Sequence, residues 1–460
     1  MTQQYRVSRR RFLAGVVATT AAGVLLQACA QPAATPEPTK PAAAPTTAAA
    51  ASTPAAQAKP AAKETSFTYT ARIGVQADHF DAFAKTFMEK NPNIKYVAQH
   101  VPSAEWSQKI QVQAAGATLA DAIWMPSIGL FGQFAHKGLL MDHSPLVKAA
   151  NYDLKVFYPA AVEGLTREGK LWGIPWIVHP GRTGLYYNKP LFDEASVKYP
   201  DETWTYQNLA EAAQKLTKRS GDKVTQYGYQ PSTEMWSYIV VMRGFSGDYL
   251  ATDAKTVTID SPESTKAIQE GIADFMTKYK TSPTPDVIEG GSPQMFASKK
   301  LAMYQSGYWG ASGLYQYAPD VPWGVAPMPK QAGGKVGMFE IDGNMVTKGA
   351  KDPESAFLYC AYMASKEAGI DIAVRGSVPG GRPDVWESPE LSAKPHHVVF
   401  TKILKDCPGL LLPANNKETE FATAFVAGFD PINYAKESDA SKVIKTVKPT
   451  LQEIANRPQD

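Results

Sequence analysis

The stretches GKLWGIP (residues 169–175) and LYYNKPLF (residues 185–192) lie near the centre of this 460-residue sequence. Leu171 to Pro175 is a short apolar run that predicts a buried strand, and Gly184 to Asn188 predicts the next strand. The segment between them, Trp176 to Arg182, contains aromatic and polar side chains. Such side chains directly after a buried strand are candidates for a ligand site.

Towards the N-terminus, extended and helical patterns alternate. Phe67 to Val75 is rich in aromatic and branched residues, and Phe80 to Met88 places its apolar residues on one helical face. Ile94 to Val101 predicts the next strand, Trp106 to Ala114 a second helix, and Asp121 to Met125 a short buried strand. This βαβ order favours a mainly parallel sheet with helices on both faces.

A second α/β set follows the central stretches. Leu209, Ala213 and Leu216 predict a helix, and Tyr227 to Gln230 predicts a strand. Further on, Ser261-Pro262-Glu263 and Asp352-Pro353-Glu354 each combine an N-cap residue with proline at the first helical position. The sequence therefore predicts an α/β protein with two lobes.

Three further blocks follow the central stretches in a fixed order. They are FASKKLAM (296–303) with GYW (307–309), WGVAPMP (323–329) and GSVP (376–379). Together with the central stretches they resemble the extracellular solute-binding proteins of ABC importers, in particular the carbohydrate-binding branch related to maltose-binding protein (family 1). The resemblance runs from about residue 66 to the C-terminus. Ser298-Lys299 departs from the common Gly-Lys, which affects the turn.

The resemblance implies a two-lobe periplasmic-binding-protein-like fold (type II). A ligand cleft would lie between lobes joined by a hinge that the chain crosses several times. We expect 65–176 plus 300–345 to form lobe 1, and 177–299 plus 346–460 to form lobe 2. The lobes would close around the ligand, and the importer would recognise the closed form.

The implied function is the capture of a mono- or oligosaccharide and its delivery to an ABC importer, without catalysis, cofactor or metal. The implied partners are a small-molecule sugar and the permease subunits, and the protein would be a monomer. Two alternatives stay open. The ligand could be a polyol phosphate such as a glycerol-phosphate ester, because His179 and Arg182 offer donors that favour phosphate. The protein could also be a ligand sensor for a membrane receptor.

Candidate ligand-binding residues follow from strand ends and from sugar chemistry. A sugar presents hydroxyl groups at its rim and C–H groups on its faces, so its site needs planar polar groups and aromatic rings. The candidates are Gln76, Asp78, His79, Ser127, Trp176, His179, Arg182, Trp236, Tyr308, Trp309, Asp342, Arg375 and Ser377. Helix capping or core packing is the alternative for each. Trp236, shortly after the Tyr227 to Gln230 strand, is a candidate stacking ring.

Other aromatic residues are expected to pack in the core or on a lobe surface. The tryptophans of this group are Trp124, Trp172, Trp204 and Trp323. Tyr186 and Tyr187 resemble the tyrosine pair of iron-binding relatives, but adjacent residues of a strand face opposite sides, so we expect both to pack in the core.

Histidine and cysteine usage predicts no metal site. His396 and His397 are adjacent and cannot share a helical face as paired ligands, so we expect a solvated pair. Cys360 lies on an apolar helical face and is expected to be a buried free thiol. A disulfide between Cys360 and Cys407 is the alternative.

The N-terminus carries an export address. SRRRFL (8–13) places paired arginines before an apolar run too short to span a bilayer, and it resembles the twin-arginine signal. LQAC (26–29) resembles a bacterial lipobox, from which Gln27 departs, with a plain cleavage site as the alternative. We expect residues 1–28 to be a signal peptide. Diacylated Cys29 would then anchor the protein to the outer face of the cytoplasmic membrane, on its periplasmic or extracellular side.

The segment after Cys29 cannot pack a core. Residues 30–64 contain no aromatic residue and no Val, Ile, Leu or Met, so we expect 29–64 to be a lipidated cysteine and a disordered Ala/Pro/Thr tether. Removing residues 1–28 deletes four arginines and no acidic residue, which changes the formal net charge from +3 to −1. No block of Lys and Arg remains, so nucleic acid is not an expected partner.

Motifs of common enzymes are missing from the sequence. GFSG (244–247) lacks the spacing of a nucleophile elbow, and neither H-E-x-x-H nor a phosphate-binding loop occurs. A secreted glycosidase is the enzyme alternative, with Asp78 and either Glu340 or Asp342 as its two carboxylates. We expect a binding protein rather than an enzyme.

Overall fold

The computed structural model describes residues 64–73, 77–103, 105–407 and 409–458. The predicted signal peptide, Cys29, nearly all of the tether and Gln76 lie outside the described residues, and so does the side chain of Asp78.

The strands and helices follow one another along the described chain. The strands are β1 (Thr65–Thr70), β2 (Arg72–Ile73), β3 (Ile94–Ala98), β4 (Val101–Pro102), β5 (Ala122–Pro126), β6 (Thr166–Arg167), β7 (Lys170–Leu171), β8 (Ile174–His179), β9 (Gly184–Asn188), β10 (Lys218–Ser220), β11 (Lys223–Gln230), β12 (Leu301–Ser306), β13 (Trp323–Pro327) and β14 (Glu340–Val346). The helices are α1 (Ala77–Lys90), α2 (Trp106–Ala115), α3 (Leu130–His136), α4 (Ser144–Ala149), α5 (Pro159–Gly164), α6 (Lys189–Glu194), α7 (Tyr206–Leu216), α8 (Met235–Gly244), α9 (Pro262–Ile268), α10 (Asp274–Met276), α11 (Ser292–Ala297), α12 (Gly310–Tyr317), α13 (Pro353–Met363), α14 (Lys366–Val374), α15 (Pro383–Trp386), α16 (Pro389–Ser392), α17 (Pro395–Lys405), α18 (Glu418–Asn433) and α19 (Ala440–Asn456).

Two five-stranded sheets organise the fold. The first sheet has the order β3-β1-β5-β14-β8, and the second has the order β10-β11-β12-β9-β13. The chain passes from the first sheet to the second between β8 and β9, and it returns between β13 and β14. The α/β class and the two-lobe fold expected from the sequence are confirmed.

The expected mainly parallel arrangement describes the N-terminal strands, because β1, β3, β5 and β8 all run in the same direction, but it does not describe the strands that arrive from the other sheet. In the first sheet β1 runs parallel to β3 and β5, whereas β14 runs antiparallel to β5 and β8. In the second sheet only β11 and β12 pair in parallel. A parallel neighbour needs a crossover connection, usually through a helix. β9 and β14 instead arrive directly from the other sheet, and both pair antiparallel with their neighbours.

The expected lobe ranges need correction where the chain returns. β12 and β13 pair with β9 in the second sheet, although they lie within the range 300–345 assigned to lobe 1. Only β14, at the end of that range, joins the first sheet. Helix α13 packs against β14 and β1, although its residues were assigned to lobe 2. The sequence pattern gives strand positions but not the sheet that each strand enters.

The predicted helix starts are confirmed. The side chain of Ser261 accepts a hydrogen bond from the Ser264 backbone N–H at 3.0 Å, and Asp352 accepts one from the Ser355 N–H at 3.0 Å. Each cap satisfies one of the backbone donors that a helix leaves open at its start.

The tyrosine pair packs as expected. Tyr186 belongs to the core that includes the first sheet, whereas Tyr187 belongs to a second core on the opposite face of β9. Cys360 and Cys407 are both buried free thiols, so the disulfide alternative is wrong.

The expected solvated histidine pair is wrong. His396 and His397 are both buried. The Tyr308 hydroxyl donates to His397 Nδ1 at 3.2 Å and His397 Nε2 donates to the Trp386 carbonyl at 2.8 Å. Both histidine rings of α17 are therefore buried among apolar and aromatic residues. The periodicity of the sequence does not reveal this burial.

Buried His143 makes the stability of the fold sensitive to acid. Its Nδ1 donates to the Met141 carbonyl at 3.0 Å, and its Nε2 accepts from the Val346 N–H at 3.2 Å. Burial lowers the pKa of His143 to about 4. An unfolded histidine has a pKa of about 6.5, so this contribution to stability is complete above pH 6.5 and is lost as the pH falls towards 4.

We expect His143→Gln to reduce the dependence of the unfolding free energy on pH by about 1.4 kcal/mol per pH unit between pH 6 and 4.5. Denaturant melts at several pH values measure this slope. His136→Gln is the control, because the His136 side chain is partly exposed. Equal slopes for His143→Gln and the parent protein would contradict the assignment.

Candidate functional site

A cleft of about 780 Å³ lies between the two sheets. Its walls include the carboxyl ends of β5 and β8 from the first sheet and of β11 and β12 from the second. The last residue of each of these strands lines the cleft: Pro126, His179, Gln230 and Ser306. β14 runs antiparallel to β5 and β8, so its first residues reach the same edge. This is the position where open α/β sheets bind ligands.

Arg182 links the two lobes across this cleft. It lies in the segment between β8 and β9, and its guanidinium stacks over the Trp309 ring at 5.2 Å. Its Nη1 donates to Glu340 Oε1 of β14 at 3.2 Å, and its Nε donates to Glu234 Oε2 at 2.6 Å, just before α8. Burial alone would lower the pKa of Arg182, but Glu234 and Glu340 outweigh it and raise this pKa. Arg182 therefore stays charged.

Glu340 and Asp342 form the acidic floor of the cleft. They are two residues apart on β14, so their side chains lie on the same face of the sheet. Burial raises the pKa of Glu340 to about 7, with Asp342 and Glu234 adding to the rise and Arg182 opposing it. Burial also raises the pKa of Asp342 to about 6 against the attraction of Arg72 and Arg182. The two carboxyl groups can accept or donate hydrogen bonds near neutral pH.

Glu234 behaves differently from Glu340 although both contact the same arginine. Glu234 is exposed at the rim of the cleft, and the attraction of Arg182 lowers its pKa. The pKa of the buried partner, Glu340, is therefore raised, whereas the pKa of the exposed partner, Glu234, is lowered.

His179 supports the wall of the cleft as a neutral ring. Burial, with Arg182 and Arg72 close by, lowers its pKa to about 3. Its Nδ1 accepts from the Gly181 backbone N–H at 3.2 Å, which leaves the proton on Nε2. Trp309 packs edge-on against this ring at 5.2 Å.

Arg72 and Trp124 form a further part of the cleft wall. The Arg72 guanidinium lies 4.7 Å from the centre of the Trp124 ring. Trp176 packs perpendicular to Trp124 at 5.4 Å and holds it from behind. Trp124, on β5 of the first sheet, and Trp309, just after β12 of the second, both supply apolar surface to the cleft.

Several buried polar atoms of the cleft have no hydrogen-bond partner among the described protein atoms. Among them are Arg72 Nε, Gln230 Oε1, Tyr304 Oη and Gln305 Oε1. A buried polar group without a partner costs about 1 to 3 kcal/mol. Native proteins contain few such groups, so their concentration in one cleft indicates a polar ligand.

The structure brings five predicted site residues together in the cleft. They are His179, Arg182, Trp309, Asp342 and Ser377. His79 and Arg375 line a second hollow beside it.

Four predicted residues lie outside the cleft. Trp176 and Tyr308 are buried in the core, the former behind Trp124 and the latter against Trp386. Trp236 lies in α8 and packs partly buried against the second core. Ser127 bonds the β14 backbone through Ile341 and lines a separate cavity of about 180 Å³. The proposed site therefore no longer includes these four.

Sequence reasoning missed several lining residues. The lining also contains Arg72, Trp124, Gln230, Glu234, Gln305 and Glu340. Gln230 ends a strand that the sequence predicts, so the strand-end rule applies to it directly. The alternation of Glu340 and Asp342 with Ile341 at the start of a strand that ends in Met345 and Val346 was a second signal. Trp124 packs in the first core, as expected, and in addition lines the cleft. Trp172, Trp204 and Trp323 also pack in or against the cores, as expected.

The described residues offer neither a metal site nor a membrane-spanning helix. Within the described ranges, no group of three or more His, Cys, Asp or Glu side chains is placed to hold a metal ion. None of the described helices is long and apolar enough to cross a membrane.

A family model described as bacterial extracellular solute-binding protein matches residues 74–370. An arabinooligosaccharide-binding protein of Halalkalibacterium halodurans is 25% identical over 343 residues, which cover 71% of this chain and 73% of the relative. An ABC transporter extracellular-binding protein of Pyrococcus horikoshii is 23% identical over 396 residues, which cover 80% of this chain and 83% of the relative.

Solved structures share the fold. An ABC substrate-binding protein from Listeria monocytogenes, in complex with cycloalternan, superposes with a TM-score of 0.75 at 23% identity and covers 85% of this chain and 99% of its own. The GacH receptor of Streptomyces glaucescens, solved unliganded and with acarbose, gives a TM-score of 0.75 at 19% identity over 86% of this chain and 99% of its own.

The opposite pKa shifts of the two Arg182 partners give a paired test. Glu340 has a raised pKa, so its contribution to stability is complete below its unfolded pKa of 4.5 and is lost as the pH rises through about 7. We expect Glu340→Gln to abolish this loss and to be more stable than the parent protein at pH 8, by up to roughly 3 kcal/mol. Denaturant melts at pH 5 and pH 8 measure the difference.

Glu234→Gln is the matched control, because it removes the exposed partner of the same arginine. We expect it to give no gain at pH 8. A gain in both variants, or a loss of stability in Glu340→Gln at pH 8, would contradict the raised pKa of Glu340.

Proposed function

The chain belongs to the family of bacterial extracellular solute-binding proteins, whose model matches most of its length, and we propose that it captures a sugar for an ABC importer. The observation that carries this proposal is the cleft between the sheets. It combines aromatic surface from Trp124 and Trp309 with buried hydrogen-bonding atoms that have no protein partner. A polyhydroxylated ligand with apolar ring faces has both complementary features.

The unpartnered atoms support a sugar in particular. Gln230 Oε1 and Gln305 Oε1 accept hydrogen bonds, whereas Arg72 Nε donates them. The Tyr304 hydroxyl can do either. A sugar hydroxyl is itself both donor and acceptor, so one ligand type can satisfy all of these atoms.

The charges of the cleft argue against a phosphate ester. Arg182 is one of two arginines that line the cleft, and its guanidinium already binds Glu234 and Glu340. Asp342 lies on the same face of β14 as Glu340, so an anionic ligand would meet three carboxyl groups. A neutral ligand avoids this repulsion, and we therefore favour an uncharged sugar over a polyol phosphate.

The contacts of Arg182 also suit a cleft that closes around its ligand. Arg182 contacts Glu340 on the first lobe and Glu234 on the second, so its contacts depend on the angle between the lobes. Ligand-induced closure of two lobes about a hinge is a known response of such folds. We propose that the closed form is what permease subunits in the membrane recognise, and that the protein acts as a monomer.

We further propose that the protein is exported and lipid-anchored. The twin-arginine head SRRRFL (8–13) and the lipobox-like LQAC (26–29) support this, and membership of an extracellular family agrees with export. The segment 30–64 would then act as a tether between Cys29 and the folded part.

Trp309 and Trp236 provide the direct test of the ligand site. We expect Trp309→Ala to weaken sugar binding by roughly 1 to 3 kcal/mol, about 5-fold to 150-fold, because the ring faces the cleft. Titration calorimetry against a panel of mono- and oligosaccharides measures the change. Trp236→Ala is the control and should retain the affinity, because Trp236 packs outside the cleft. Unchanged affinity in Trp309→Ala together with weakened binding in Trp236→Ala would exclude the cleft as the ligand site.

Membrane fractionation tests the anchor. We expect Cys29→Ser to leave a folded protein that no longer sediments with membranes, because the acylated thiol is lost. Cys407→Ser controls for loss of a cysteine as such, since Cys407 is a buried free thiol of the folded part. Unchanged membrane association of the Cys29 variant would exclude lipidation at this residue.

A further inference from the structure

A second hollow of about 610 Å³ adjoins the cleft. It lies between the start of α1, the exposed face of α12 and the end of α14. Its lining includes Tyr315 and Gln316 of α12, His79 of α1, Arg375 after α14, and Lys394. Elements of both lobes therefore contribute to it, as they do to the cleft.

The two hollows meet at one point of the structure. Ser312 lines both of them. Its hydroxyl donates to the Gly376 carbonyl, and Gly376 lines the second hollow while the next residue, Ser377, lines the cleft. A single hydrogen bond and one peptide unit thus mark the boundary between them.

Tyr315 presents a fixed aromatic surface to the second hollow. Its side chain is 47% exposed, which is high for a tyrosine that packs against other rings. Trp323 and His396 hold it edge-on at 5.6 and 5.8 Å, and its hydroxyl lies 3.4 Å from His396 Nδ1. A ring that is held on one side and exposed on the other is a stacking surface that needs little ordering when a ligand binds.

The polar groups of the hollow are partly engaged. Lys394 Nζ donates to the Ala373 and Val374 carbonyls at 2.8 and 3.1 Å, and Arg375 Nε donates to Asp371 Oδ2 at 2.9 Å. Their positive charges are therefore already balanced by a carboxylate and by the carbonyl end of α14. The donors that remain suit hydroxyl groups better than a free anion.

We propose that the second hollow is a further sugar subsite, in which one unit of an oligosaccharide stacks on Tyr315 while other units occupy the cleft. This inference rests on the proposed sugar-binding function and extends it to ligand length. Together the two hollows exceed the roughly 1,000 Å³ at the upper end of ordinary small-molecule sites. The ligand that fills both is an uncharged oligosaccharide rather than a monosaccharide.

The test measures how affinity depends on ligand length. α-1,4-linked glucose and β-1,4-linked mannose oligomers of one to four units, together with a broad glycan array, are titrated against the full chain. We expect affinity to rise with length in the series that binds. We expect Tyr315→Ala to weaken the binding of the longer ligands by about 5-fold or more, which removes most of this rise. The affinity for the shortest ligand that binds should be retained.

Two further variants keep the test specific. Tyr317 lies two residues away on the same helix with 41% of its side chain exposed, but it lines neither hollow, so Tyr317→Ala should leave every affinity unchanged. Tyr315→Phe keeps the ring and loses the hydroxyl, so it should retain the length dependence.

The possible outcomes separate the inference from the function on which it rests. Affinity that does not depend on length, or an equal loss for all lengths in Tyr315→Ala, would overturn the second subsite and leave the sugar-binding function standing. Failure of every sugar in the array to bind would overturn the proposed function itself, and the subsite with it.

Discussion

The insertion of β14 between β5 and β8 is the constraint on which the site depends. β14 arrives from the second sheet and pairs antiparallel on both sides, with Asp342 opposite Pro126 on β5 and Glu340 opposite His179 on β8. Because of this direction, the start of β14 lies beside the ends of its neighbours. A parallel β14 would place its two carboxyl groups at the far edge of the sheet. The acidic floor of the cleft therefore follows from the direction in which the chain returns.

The contacts of Arg182 are better understood as positioning than as stabilisation. Removing two charges from water costs several kcal/mol per ion, and a buried ion pair often only balances this cost. Glu340 illustrates the balance, because burial raises its pKa to about 7 even though Arg182 lies 3.2 Å away. What the contacts do provide is direction, since two carboxyl groups on different lobes hold the guanidinium over the Trp309 ring. The Arg182 side chain thereby contributes both to the wall at Trp309 and to the connection between the two lobes.

The sequence predicted local structure well and long-range pairing poorly, and particular residues show why. Gly184 to Asn188 is a strand with the predicted bounds, because five consecutive apolar, aromatic and amide residues and a following proline confine it. The helix starts at Ser261 and Asp352 depend on contacts three residues away and were equally predictable. The partners of Arg182 are 52 and 158 residues distant, and no local pattern connects them. Trp176 and Trp124 both pack in the first core, but only Trp124 also lines the cleft. Strand alternation does not say which side chain of a buried strand reaches the ligand.

The unpartnered polar atoms of the cleft connect stability with function. Each costs about 1 to 3 kcal/mol while it stays buried without a partner, and the surrounding cores must offset this cost. A ligand that supplies the missing partners recovers part of that free energy on binding. The same groups reject a ligand that lacks a hydroxyl at the right place, because such a ligand displaces solvent and leaves them unsatisfied. Gln230 Oε1 and Gln305 Oε1 lie on β11 and β12 of the second sheet, whereas Arg72 lies on β2 and its guanidinium contacts Trp124 of the first sheet. Whether one ligand satisfies all three atoms therefore depends on the angle between the lobes. Selection among sugars and closure of the cleft are therefore expected to depend on the same few hydrogen bonds.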